Sequence, residues 1–240
     1  MPKYTDRYKS QVRLLPRPHS CTVMPQPPIK PRATLTEQAT KLLPSALLPE
    51  LLGCIDTDRR LVVLDMGHAM ASTVRFFGEY RCQLNFIDLT AEQFLATPDE
   101  DLSHRQRVIL MRQALRLAPS VKLDICLFWD VFSYLSDAYI KALIEALEPH
   151  IGPATGALII NPRDSRCYLP FCRYGVADQD HFMQIDNTGT QPTVFARSQR
   201  DLNNLIDYFA IDRGRLIAEG RAEYLLFENR DSDKTDRSMI

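Results

Sequence analysis

Residues 60–71 read R-L-V-V-L-D-M-G-H-A-M-A, from Arg60 to Ala71. The apolar run Leu61 to Leu64 stops at an acid, a glycine and several small or polar residues, the pattern of a buried strand entering a tight turn. Because the run is continuous and does not alternate, it suits a central parallel strand covered on both faces. The segment beyond it, HAMASTVRFFGEY, places Met70, Val74 and Phe77 three or four apart and is expected to be helical. Strand, turn and helix in this order open a crossover unit. An open parallel sheet binds its ligand at the carboxyl ends of its strands, next to the switch point, so Asp65, Met66 and Gly67 are expected beside any ligand.

Working outward, the 240 residues allow one sizeable core, and the formal net charge of −1 with a pI near 6.5 gives no overall attraction to nucleic acid or anionic membrane. No apolar run approaches the ~20 residues that span a bilayer, and the N-terminus lacks the apolar centre of a secretory signal, so a cytoplasmic location is expected. Cys21, Cys54, Cys82, Cys126, Cys167 and Cys172 form no CxxC pair. Reduced thiols are the simplest account. Cys167, Cys172 and His181 share one segment, but their spacing matches no standard metal site, and no metal is expected.

Residues 1–33 carry Lys3, Arg7, Lys9, Arg13, Arg17, Lys30 and Arg32 against Asp6, with seven prolines. This basic arm is expected to be flexible, because proline removes the backbone donors a helix or central strand needs. It is the one place where an acidic partner or RNA has a foothold. A domain is expected over 34–228, opening with a capping box at T-L-T-E and a helix to about Leu43, then a short helix over Ser45 to Leu52. A second strand ends at Asp88. A polar loop and a helix bearing Val108, Met111, Leu115 and Ala118 follow. A strand then runs from Lys122 to Trp129 and ends at Asp130, a helix is capped at Ser136 and Asp137, and a strand opens at Gly156. Residues 162–197 read as a long irregular segment, the kind that serves as a lid or binding loop. A helix capped by Ser198 precedes two final strands, Phe209 to Gly220 and Ala222 to Glu228, which turn at Gly220 and Arg221. A return this short makes the pair antiparallel. The tail, 229–240, is polar.

This order resembles the class I S-adenosylmethionine-dependent methyltransferase family. The motifs that carry the resemblance are LDMGHAMA, NFIDLT and LDICLFWDVFSYL, and the terminal hairpin separates that family from ordinary dinucleotide-binding sheets. The resemblance implies an α/β, Rossmann-like methyltransferase fold: a mainly parallel sheet with helices on both faces and a C-terminal antiparallel hairpin, here without an identifiable third strand. It also implies S-adenosylmethionine as cofactor. Asp65 and Gly67 match the acid and first glycine of the family's D-x-G-x-G-x-G loop, beside Met66, while Ala69 and Ala71 stand at the second and third glycines and bring Cβ atoms where the backbone should approach the ligand most closely. Asp88 matches the ribose-binding acid, and Trp129 and Asp130 match the segment where cofactor and substrate meet.

Methyl transfer from a sulfonium asks mainly for alignment and exclusion of water, so the sequence need not hold a nucleophile or metal. For a small hydroxyl or amine acceptor a base is useful, and Asp130, His68 and His181 are the candidates. Each has a bland alternative: His68 as a solvent-facing residue near the helix start, Trp129 as packing, Asp88 as a helix-capping acid. The alternative for the whole chain is a cofactor-free protein of the same fold that serves as a binding or scaffold subunit, with a protein partner. A nicotinamide-linked oxidoreductase would need G-x-G-x-x-G, which is absent.

Overall fold

The structure, a computed structural model, describes residues 40–56, 58–95, 101–163, 169–217 and 220–228. The expected basic arm, the capping box at Thr34 and Glu37, Cys167 and the polar tail lie outside the described residues.

The elements run β1 (Thr40–Pro44), α1 (Leu48–Gly53), β2 (Leu61–Asp65), α2 (Ala71–Phe77), β3 (Cys82–Phe86), α3 (His104–Leu115), β4 (Ile125–Trp129), α4 (Asp137–Leu147), β5 (Gly156–Pro162), β6 (Cys172–Val176), β7 (His181–Asp186), α5 (Gln199–Leu205), β8 (Phe209–Ile217) and β9 (Arg221–Glu228), with short 3-10 turns between some of them. The large sheet has the order β3-β2-β4-β5-β9-β8. Its first four strands are parallel, and β9 enters antiparallel between β5 and β8. This is the Rossmann-like methyltransferase architecture that the order of motifs implies, with β3 at an edge and no further strand beyond it among the described residues. The chain leaves β2 toward β3 on one side and returns as β4 on the other, so the switch point lies between the ends of β2 and β4.

Both faces of the sheet are covered at its centre, which explains why β2, β4 and β5 read as unbroken apolar runs. Successive residues alternate between two cores: Leu64, Cys126 and Phe128 pack with α3, α4 and α5, while Val63, Ile125, Leu127 and Trp129 pack with α1, α2 and the hairpin β6–β7. The helix caps follow the sequence. Ser103 and Gln106 form a reciprocal capping box, and the hydroxyls of Ser136 and Ser198 accept from Tyr139 and Asp201 amides. The N-terminus of α1 is held differently. Buried Glu223 of β9 accepts from the Ala46 and Leu47 amides at 2.8 and 3.2 Å and from the Ser45 hydroxyl at 2.5 Å.

Four expectations are corrected. The helix expected up to about Leu43 is, over 40–44, strand β1, paired antiparallel with β7. The segment 162–197 is not irregular throughout: it folds β6 and β7 into a hairpin, and with β1 they make a second, three-stranded sheet of order β1-β7-β6. The buried face of α2 uses Thr73, Phe76 and Phe77, whereas Val74 is 49% exposed. Thr73 takes its place, its hydroxyl accepting from the Val176 amide of β6 at 3.0 Å. Ala118 lies past the end of α3, and Ala114 takes its place in the core. Among the described residues no helix is long and apolar enough to cross a membrane.

The second sheet reaches α2 through one glycine. A Cβ on Gly175 would stand 2.7 Å from both Met70 Cβ and Ser72 Oγ and 2.9 Å from Thr73 Oγ1, so β6 touches the first turn of α2 by backbone alone. Gly175→Ala is therefore expected to push β6 outward and to destabilise the protein by about 1–3 kcal/mol, the usual scale of overpacking. Thermal denaturation of the variant checks this, and an unchanged midpoint would show that β6 is not seated on α2.

Candidate functional site

The ends of β2, β3 and β4 bring most of the residues singled out from the sequence to one crevice. Met66, Gly67, His68, Asp88, Trp129 and Asp130 line it, together with Thr90, Tyr134, Arg173, Tyr174 and Asn187. Asp65, the last residue of β2, lies behind this lining. It is fully buried, and its Oδ1 accepts from Trp129 Nε1 at 2.7 Å and from the Gly67 amide at 3.0 Å, while Oδ2 has no partner. Burial pushes its pKa up to about 7, although the bonds from Trp129 and Gly67 pull the other way.

Trp129 ends β4 at an irregularity in its pairing with β5 and holds a φ of 48°, a left-handed conformation that a bulky residue rarely adopts. The turn is tight enough to aim the indole back over the end of β2. Its edge lies against Gly67, where an added Cβ would come within 3.0 Å of Cδ1, and its face stacks on Tyr174 of β6 with centroids 5.7 Å apart and planes 15° apart. Phe182 of β7 closes the group at 6.0 Å. Trp129 is thus both packing and wall.

Asp130 is buried beside it, accepting from the Tyr134 hydroxyl at 3.2 Å. Burial also raises its pKa to about 7, against the opposing pull of the Tyr134 bond, Arg221 and Tyr174. Arg221 is fully buried, and its Nη1 donates to Tyr174 Oη and Gln184 Oε1, both at 2.8 Å. At the mouth, Asp88 accepts from Thr90 Oγ1 at 2.7 Å and sits 3.6 Å from His68 Nδ1, both side chains partly exposed.

Three predicted residues stand elsewhere. Ala69 and Ala71 are exposed and do not line the crevice. His181 lies at the β6–β7 turn, 2.9 Å from Asp178 and 2.8 Å from Asp180, whose carboxylates raise its pKa. With those two acids it forms a cluster of metal-ligand types, away from Cys172, which is buried in β6. Sequence reasoning missed Tyr134, Tyr174, Phe182 and Arg221. Arg221 was assigned to a turn; it is instead the first residue of β9 and wholly buried. The available signal for the aromatic pair was the alternation in H-F-M-Q-I-D after a D-Q-D turn, which reads as a hairpin.

A nucleoside cofactor can be tested against this geometry. The donor set fits: Asp88 offers a carboxylate at the mouth, Gly67 leaves the turn bare, and Asp65 Oδ2 is a buried polar atom awaiting a partner. The space is another matter, since the crevice, partly open to solvent, has a cavity volume of about 30 Å³. That holds about one water, whereas ligand pockets measure roughly 300–1,000 Å³. The Trp129 indole forms the wall of the crevice beside Gly67.

No protein-family model matches the chain, and no curated protein matches it. Solved structures with a similar course of the backbone include a Burkholderia thailandensis 1,6-didemethyltoxoflavin-N1-methyltransferase, 15% identical with a TM-score of 0.43 over 77% of this chain and 76% of that one. Another is an S-adenosylmethionine-dependent methyltransferase from Clostridium acetobutylicum, 12% identical with a TM-score of 0.44 over 76% and 91%. The pyocyanin biosynthetic protein PhzM is 13% identical with a TM-score of 0.42 over 76% of this chain, which spans only 54% of PhzM. Likenesses of this size do not assign an activity.

The two buried acids set a pH dependence. In the unfolded chain they ionise near 3.8, and in the folded protein near 7. Between those values the folded state holds the extra protons, so stability is greatest below about pH 4, falls as pH rises toward 7 and levels off above it, by as much as a few kcal/mol. The melting midpoint is expected to drop between about pH 4 and pH 7, and less so in Asp65→Asn, which cannot ionise. Equal slopes in the two proteins would place the Asp65 carboxyl in contact with solvent.

Proposed function

We propose that this chain is an S-adenosylmethionine-dependent methyltransferase acting on a small acceptor. The observation that carries the reading is the convergence of Gly67, Asp88 and Asp130 on one crevice, with Asp65 bonded to the Gly67 amide behind it, at the switch point of a sheet whose antiparallel β9 has the place expected for this fold. When bound, the cofactor supplies an activated methyl group on a sulfonium. Asp88 would hold the ribose diol, a carboxylate accepting from both hydroxyls. Gly67 would let the turn approach the cofactor without a Cβ in the way, and Asp65 would offer its unpartnered oxygen. Asp130, half-ionised near neutral pH and fixed by Tyr134, is suited to take a proton from a hydroxyl or amine acceptor. The β1-β7-β6 sheet would exclude water from above.

A second reading, a cofactor-free protein of the same fold that binds a partner, draws on the small cavity and the indole that walls the crevice. Calorimetric titration with S-adenosylhomocysteine separates the two without knowledge of the acceptor. Binding is expected, and Asp88→Ala should weaken it by at least ~1.5 kcal/mol, about tenfold, the scale for losing charge-assisted hydrogen bonds. Absence of binding by the correctly folded wild type and by Trp129→Phe, which thins the wall beside Gly67, would favour the second reading.

A further inference from the structure

We propose that the indole of Trp129 is a built-in occupant of the crevice, an autoinhibitory contact that a cofactor must displace; this rests on the methyltransferase reading. Four observations support it. The indole lies directly against Gly67, where the turn after β2 is bare of side chains. Its N–H takes Asp65 Oδ1, the acid that the crevice would otherwise present to a ligand. Its ring is clasped from above by Tyr174, so the same stack that walls the crevice also draws the β6–β7 hairpin down on it. What remains is space for about one water.

The closed arrangement carries two local costs. Trp129 holds a left-handed backbone conformation, and Asp65 Oδ2 is buried without a partner. The second is relieved when the indole swings out and a polar ligand group meets Asp65. The stack and the Asp65 bond hold the closed state in place, and a ligand that binds only the open state has its apparent dissociation constant raised by the reciprocal of the open fraction. Substitutions that weaken the closed state should therefore tighten binding, the reverse of what removal of a ligand contact does.

Trp129 is the chain's single tryptophan, so its fluorescence reports on this site alone. The full-length wild type is titrated with S-adenosylhomocysteine by fluorescence and calorimetry in parallel, beside Trp129→Phe, which keeps an aromatic ring but loses the N–H and part of the bulk. The expected result is a red shift of emission and easier quenching by acrylamide on binding, with Trp129→Phe binding about tenfold more tightly. Calorimetric binding by the variant with none by the wild type supports the same conclusion, because closure then dominates. Binding with unchanged emission and quenching overturns the displacement while leaving the methyltransferase reading intact. Weaker binding by Trp129→Phe also overturns it and makes the indole a ligand contact. No binding by either protein, with both folded by circular dichroism, overturns the occlusion and the methyltransferase reading together.

Discussion

The hydrogen bond from Trp129 to Asp65 joins the ends of the two strands that flank the switch point. Parallel neighbours splay at that point because their helices leave in opposite directions, and the gap is where such sheets hold ligands. Here the gap is spanned by the protein's own donor and acceptor, in surroundings dry enough to keep the acid largely protonated below neutral pH. Other features of this end of the molecule follow from the bond. The left-handed Trp129 backbone aims the ring, Gly67 makes room for its edge, and Tyr174 lies nearly parallel to its face.

The second sheet depends on that group for its footing. Strand β6 lies on α2 through Gly175 and the Val176–Thr73 bond, and Arg221 reaches from β9 to fix Tyr174 and Gln184 from below. A guanidinium buried this completely demands acceptors, and it finds two of them on β6 and β7. The cover over the strand ends is therefore anchored by polar bonds at α2 and β9 and by aromatic packing at β4.

Much of this was legible in the sequence where one physical signal dominated. Continuous apolar runs marked β2, β4 and β5, because a strand covered on both faces has no reason to alternate. The short return after Gly220 fixed the antiparallel hairpin. The acids at the strand ends marked the crevice, because an open parallel sheet holds its ligands at the carboxyl ends of its strands. The second sheet was not legible in the same way. Thr40–Pro44 finds its partner some 140 residues later in β7, and nothing local to T-K-L-L-P distinguishes an edge strand from a helix end. Trp129 was identified as a wall residue, but its hydrogen bond with Asp65 needs a left-handed turn that no propensity scale would assign to tryptophan. The resemblance to the family's glycine loop implies Ala69 and Ala71 beside the ligand, whereas both are exposed and stand outside the crevice lining.

The Glu223 carboxylate that holds the start of α1 has a consequence for the order of assembly. Ser45 and Glu223 are 178 positions apart, so one of the first described elements is completed by one of the last. Strand β8 is synthesised before β9 but lies outside it, at the sheet edge, with no partner until β9 inserts against β5. During synthesis the parallel strands can form while α1 lacks its cap and β5 offers an open flank. The hairpin must then arrive as a unit, closing the sheet edge and the first helix in one step. Such long-range pairing slows folding and leaves the nascent domain exposed at β5 until its C-terminal strand has been made.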